Sequence, residues 1–153
     1  MEKQFTATTY LFFKQKTLLL KHPKLEKWLP PGGHIEKNET PPCAAKREVK
    51  EETGLEFNFI RDEHIWINEW NANSIERPYM CLKEEIPKHK NVEAHQHIDF
   101  IFIGKVLNIN SFNPLFTSKW FSQFEVDLLD EQIEIYRETK MVLNKIFNSN
   151  FAL

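Results

Sequence analysis

The stretch Gly33–Leu55, GHIEKNETPPCAAKREVKEETGL, constrains this chain more than any other. Both ends of a helix are written into it. Thr40 can cap the first turn, and Pro41 sits at the first helical position, where its missing N–H costs nothing. Gly54 is a natural left-handed stop. The pattern predicts a helix from about Pro41 to Thr53. At ~100° per residue, Glu48, Glu51 and Glu52 fall within a ~100° arc of it. Like charges three and four apart destabilise a free helix by about 0.2–0.5 kcal/mol per pair, so something must offset the crowding. Val49 is expected to face the core, and Lys46 and Lys50 water. Ala44 and Ala45 lie near the carboxylate arc, where small side chains would leave room for an approaching group.

Two offsets are open. One is a solvated acidic face with local pairing, such as Arg47 to Glu51 at i,i+4. The other is a hard divalent cation, which takes oxygen ligands, keeps some water and is commonly shared with substrate phosphates. The flanking residues favour the cation. Pro30-Pro31-Gly32-Gly33 makes a sharp entry to the helix, Gly33 brings bare backbone close to it, and a further acid, Glu39, stands just ahead of the cap.

Taken together, Gly33, Glu39, Arg47-Glu48-Val49, Glu51-Glu52 and Gly54-Leu55 resemble a complete Nudix box, with every fixed position filled. Trp28-Leu29-Pro30-Pro31-Gly32 before it and Trp120-Phe121 after it are also Nudix-like. The resemblance implies an α/β (α+β) fold, a mixed β-sheet packed between helices in a single domain over residues 1–153. It implies hydrolysis of the pyrophosphate linkage in a nucleoside di- or triphosphate derivative, with Mg²⁺ or Mn²⁺ as cofactor. The Gly33 carbonyl, Glu48, Glu51 and Glu52 would be the metal ligands. Glu51 or Glu52 would orient or deprotonate the attacking water. Arg47 belongs with the catalytic group, and Arg47 and Glu39 would hold the loop and helix in place. Two other readings of such a chain are a ligand-sensing domain without catalysis and an isoprenoid-diphosphate isomerase. Sensors usually lose the glutamates, which this chain keeps, and an isomerase needs a pocket cysteine, for which Cys43 and Cys81 are the candidates.

The chain departs from the family at one point. Many members carry another acid in the loop before the late Trp-containing strand, but here that loop reads NINSFNPLFTS. The substitutes nearest to hand are in EAHQHIDF. On a strand His95, His97 and Asp99 share one face, opposite Ile98, Phe100 and Phe102. The row either contacts metal, phosphate or base, or is a strand edge whose members satisfy one another. His97 and Asp99 are therefore candidate substrate contacts together with Glu39, and Glu93 is a further acid nearby. His34 could touch phosphate. Cys43, in the first helical turn, reads as a packed residue. Trp66 and Trp70 alternate with Asn68 and read as core, with base stacking as the other possibility.

The remaining chain supplies strands. Residues 5–13 and 17–20 read as a hairpin, 57–70 and 79–86 as further strands, 95–107 as a long strand and 119–121 as a short one. From Glu125 to Phe147 the residues Val126, Leu129, Ile133, Tyr136, Met141 and Ile146 fall at mostly helical spacing, which predicts one terminal amphipathic helix. Composition narrows the function classes. Acids and bases are mixed through the chain and the net charge is −2, which offers no basic surface for nucleic acid. Two cysteines make no disulfide framework. No apolar run approaches the ~20 residues that span a bilayer, and MEKQFTATTY has no signal-peptide core. The expected setting is cytoplasmic, and the expected partner is a small nucleotide-like molecule rather than nucleic acid or membrane.

Overall fold

A computed structural model describes residues 1–61 and 65–153. Eight strands form one mixed sheet: β1 (Lys3–Phe13), β2 (Lys16–Lys21), β3 (Trp28–Leu29), β4 (Gly32–His34), β5 (Asn58–Ile60), β6 (Met80–Ile86), β7 (His95–Lys105) and β8 (Ser118–Phe121). Among the described residues three helices accompany them: α1 (Pro41–Thr53), α2 (Gln123–Asp127) and α3 (Arg137–Phe147). The main strand order is β3-β2-β1-β7-β5, with β4 on β1, β6 on β7 and β8 on β2. β1 and β7 run parallel down the centre, with Thr6 opposite Asp99, and the other pairs are antiparallel. The β1–β2 hairpin turns on Lys14 (φ 48°) and Gln15 (φ 62°), the left-handed pair that a tight two-residue hairpin requires.

Strand alternation divides the core in two. Ala7, Leu11, Leu18, Leu20 and Phe102 pack with Ala44, Ala45 and Val49 of α1. Tyr10, Phe12, Leu19, Ile101 and Ile103 pack on the other side with Val126, Val142, Leu143 and Ile146 of α2 and α3. Val49 therefore faces the core as expected. Ala44 and Ala45 do not leave an open approach beside the glutamates. Both are fully buried and let α1 lie close on the sheet.

α1 begins and ends where its sequence says. The Thr40 hydroxyl accepts from the Cys43 N–H at 3.3 Å, and Gly54, at φ 74°, donates its N–H to the Lys50 carbonyl at 2.9 Å. Two other expectations need correction. The C-terminal segment is two helices, not one. A capping box of Ser122 and Glu125 starts α2, but at Asp130 the chain folds back, and the Asp130 carbonyl accepts from Glu134 at 2.8 Å. This delivers Ile135 to the core and the Glu134 carbonyl to the Trp28 N–H, and it leaves Ile133 and Met141 exposed. The long strand expected over 57–70 shrinks to β5. Residues 62–64 lie outside the described residues, and beyond them Asn68 makes only an isolated bridge to Asn73. Trp70 is 93% exposed rather than core, and Trp66 meets the Arg61 guanidinium. Among the described residues no helix is long and apolar enough to cross a membrane.

Gly54 joins α1 to the loop after β7. A Cβ there would strike the Ser111 carbonyl oxygen, and the loop's Asn113 N–H bonds the Thr53 carbonyl at 2.9 Å. Gly54→Ala should therefore cost more than about 1 kcal/mol in a urea titration, through both the positive φ and the clash. A neutral substitution would contradict this account of the helix stop.

Candidate active site

The acidic face of α1 is organised around one arginine. Arg47 grips Glu39 with two bonds, Nε to Oε1 at 2.7 Å and Nη2 to Oε2 at 3.0 Å. Its Nη1 donates to Glu48 Oε1 at 2.7 Å and to Glu51 Oε2 at 3.2 Å, and its Nη2 also reaches the His34 carbonyl at 2.9 Å. Bonding to Glu39, ahead of the bonding to Glu48, holds the guanidinium pKa well above its ordinary value. The Arg47 bonds in turn hold the Glu39 carboxyl below its own. The local pairing that the sequence allowed is therefore present, and it already offsets much of the repulsion that a cation was invoked to relieve.

Glu52 lies outside that arginine network. Its Oε1 accepts the Gly32 N–H at 2.8 Å, a bond that ties the start of β4 to the end of the helix. Burial pushes its pKa up to about 7, and the charges of Glu48 and Glu51 push the same way, against the Gly32 hydrogen bond. Gly33 is pressed against Glu48: a Cβ at Gly33 would lie 2.5 Å from Glu48 Oε1 and 2.8 Å from Oε2. A side chain at Gly33 would have to push the Glu48 carboxylate aside, and with glycine there the backbone next to the carboxylates is bare.

Among the described residues no three His, Cys, Asp or Glu side chains stand ready as a metal cage. The donor chemistry nevertheless fits a hard divalent cation. It is all oxygen, supplied by the Gly33 backbone and by Glu48, Glu51 and Glu52 on one helix face. Glu51 is 56% exposed and held by Arg47, and Glu48 and Glu52 are partly buried.

His97 and Asp99 do not join this group. They share their face of β7 with Ile101 and Ile103, on the α3 side of the sheet. Asp99 is 4% exposed and accepts from the Thr6 hydroxyl at 2.9 Å and the Thr8 hydroxyl at 3.0 Å, both through Oδ1. His97 lies 3.2 Å from His95 between their Nε2 atoms, and its ring meets that of His34 edge-on at 5.2 Å. Glu93 pairs with Lys88 on the surface. Cys43 and Cys81 are free and exposed, so Cys43 is not the packed residue its sequence position suggested. The acid-free loop does reach α1, since the Leu115 N–H bonds the Glu52 carbonyl at 2.9 Å, but it brings no side-chain acid.

One acid on the α3 side escaped the sequence reading. Glu84 sits directly across from His97, 3.7 Å from its Nδ1, and burial together with Asp99 and Glu138 raises its pKa to about 7. The signal was available: β6 alternation puts Glu84 in one row with Met80, Leu82 and Ile86, an acid where apolar residues belong.

A sheet ordered in this way, with Gly32 and Gly33 in a short strand rather than the expected turn and a loop leading from it to a glutamate-faced helix, is the architecture of a Nudix domain. The chain belongs to the Nudix family of hydrolases: the model of the NUDIX domain matches residues 3–138. A protein of Lactococcus lactis subsp. cremoris named "Probable DHNTP pyrophosphohydrolase" is 32% identical over 100 residues, covering 65% of this chain and 52% of that protein. This chain thus matches about half the length of that relative. A crystal structure of a NUDIX-family hydrolase from Clostridium perfringens is 24% identical with a TM-score of 0.75, covering 97% of this chain and 98% of that one. The E. coli dihydroneopterin triphosphate pyrophosphohydrolase superposes with a TM-score of 0.65 at 15% identity, covering 96% and 98%. At these identities the two structures speak for the fold.

The Glu52 environment has a consequence for stability. Its folded pKa, about 7, lies above the ordinary carboxyl value of 4.5, so in metal-free protein the folded state holds a proton that the unfolded state releases between those values. Stability from this group is fully present below pH 4.5 and is lost as pH rises through about 7. Metal-free Glu52→Gln should therefore match wild type in urea titrations at pH 4 and be the more stable at pH 8. A variant less stable than wild type at pH 8 would contradict this account.

Proposed function

We propose that the chain is a divalent-metal-dependent pyrophosphohydrolase that cleaves a phosphoanhydride bond in a nucleotide-like di- or triphosphate. The observation that carries the reading is the acidic face of α1, with the Glu48 carboxylate lying directly against Gly33. Glu48, Glu51, Glu52 and the Gly33 carbonyl would hold Mg²⁺ or Mn²⁺. When bound, the metal would supply charge neutralisation for the phosphates and polarisation of the attacking water. The family membership and the relatives' names support hydrolysis of such a linkage.

The chain's own groups take the remaining work. Arg47 fixes the loop to the helix through Glu39 and the His34 carbonyl, and it places Glu48 and Glu51. Glu52 is the better proton acceptor of the two candidates. Its carboxylate is oriented by the Gly32 N–H and sits in a drier setting, whereas Glu51 is exposed and arginine-bound. With no acid in the loop after β7, the base falls to the helix. Cys43 and Cys81 are both exposed, and among the described residues neither is hydrogen-bonded to Glu48, Glu51 or Glu52.

Pyrophosphate or phosphate release from a panel of nucleoside triphosphates and diphosphate derivatives tests the proposal. Turnover should require Mg²⁺ or Mn²⁺ and rise toward alkaline pH. Glu52→Gln should lower kcat by roughly 10²–10⁴-fold, the span of a lost general base, while the protein stays folded. Turnover that persists in EDTA, or a Glu52→Gln enzyme near wild-type rate, would overturn it.

A further inference from the structure

The basic side of α1 takes no part in the hydrolytic site, yet it opens on a cleft of about 610 Å³. The walls are α1, the start of β5 and the loop after β7. A volume of this size suits a small ligand, for which ~300–1,000 Å³ is usual. Leu55 and Phe57, both buried, form the floor, and Leu107 stands exposed at the rim. The loop wall is fastened to the helix. The Asn113 N–H bonds the Thr53 carbonyl and the Leu115 N–H bonds the Glu52 carbonyl, each at 2.9 Å. The cleft is therefore preformed, not a gap between loose segments.

Its charge is positive. Lys46 and Lys50 stand one helical turn apart and both line the cleft. The Lys46 ammonium lies 4.0 Å from the centre of the Phe57 ring and donates to the Phe57 carbonyl. Lys50 donates to the Gly54 carbonyl at 3.2 Å. An ammonium carries three donors, so each lysine has further donors to give. Arg47 borders the cleft too, but its donors are committed to Glu39, Glu48, Glu51 and the His34 carbonyl. The acid at the cleft, Glu56, is 85% exposed and 3.8 Å from Lys50, so that pair contributes little. The other walls add polar groups short of partners. Among the described residues the Asn58 amide and the Ser111 hydroxyl make no hydrogen bond, and Asn108 uses its Oδ1 alone, accepting the Asn110 N–H at 3.3 Å.

We propose that this cleft is a second binding site, separate from the acidic face of α1, for a small phosphate-bearing molecule whose phosphate sits between Lys46 and Lys50. Lysine holds phosphate as a point charge. Two like charges one turn apart repel, and a dianion between them reverses that repulsion. The Asn58 and Asn108 amides and the Ser111 hydroxyl supply further donors, and the Leu55–Phe57 floor receives the apolar part of a ligand that has one. Two sources of phosphate fit this chemistry, inorganic pyrophosphate and a nucleoside monophosphate, and the second also uses the floor. The site does not depend on the hydrolase reading, since neither lysine belongs to the proposed machinery.

The test is calorimetric titration of the full chain, freed of metal on a chelating resin, with inorganic pyrophosphate and with AMP at low salt and neutral pH. Without metal the acidic face repels both probes, and no turnover is needed for the readout. Wild type should bind at least one probe saturably at a single site. Lys46→Met and Lys50→Gln should each weaken that binding, and the double variant should weaken it by about tenfold or more. Lys14→Gln, which removes an equal charge at the β1–β2 turn, should bind as wild type does. Tighter AMP binding assigns the floor to the base, and tighter pyrophosphate binding assigns the site to the phosphate alone. Lys50→Gln lies on the exposed face of the helix and decides the matter by itself if Lys46→Met does not fold. A wild type that binds neither probe overturns the site. So does binding that Lys50→Gln leaves unchanged, or binding that Lys14→Gln weakens equally. None of these results bears on metal-dependent turnover, so the hydrolase reading stands or falls separately.

Discussion

The bidentate grip of Arg47 on Glu39 is the interaction on which the site depends. It closes the loop between β4 and α1, and the same guanidinium reaches the His34 carbonyl and two further carboxylates. Without it, Glu48 and Glu51 would face each other on one helix side with nothing to offset their repulsion. Arginine suits the position because its planar fork serves several oxygens at fixed angles, which a lysine ammonium cannot do. The acidic face is therefore tolerable before any cation arrives, and it remains rich in oxygen donors.

The two glycines beside it carry the second constraint. Gly33 leaves room for the Glu48 carboxylate, and Gly32 leaves room for Thr8 while giving its N–H to Glu52. They put bare backbone between the glutamates of α1 and the Asp99 cluster on the far side of the sheet.

Much of this was legible in the sequence, for local reasons. Thr40, Pro41 and Gly54 act on their own neighbours, so α1 is found to the residue. The parity of β7 placed His97 and Asp99 on one face, as strand alternation requires. Which face of the sheet that is depends on long-range pairing. It needs β1 and β7 to run parallel and α1 to lie on the Ala7 side, and no local pattern states either. The C-terminal segment misled for a related reason. Its apolar spacing is helical, but the Trp28 N–H claims the Glu134 carbonyl and breaks the run. Ala44 and Ala45 read equally well as room for a ligand or as a close helix-to-sheet contact, and only the packing separates the two.

The central claim is that the α1 carboxylates form a divalent-cation site held ready by Arg47. The most direct measurement is a Mn²⁺ titration followed by the electron paramagnetic resonance signal of the free ion, in the absence of any nucleotide. Wild type should remove Mn²⁺ from solution saturably, and Glu48→Gln and Glu52→Gln should each weaken that binding by about tenfold or more, the loss of more than ~1.4 kcal/mol expected for a direct ligand. Variants that bind Mn²⁺ as tightly as wild type would show that the cation sits elsewhere, and that the acidic face of α1 serves Arg47 alone.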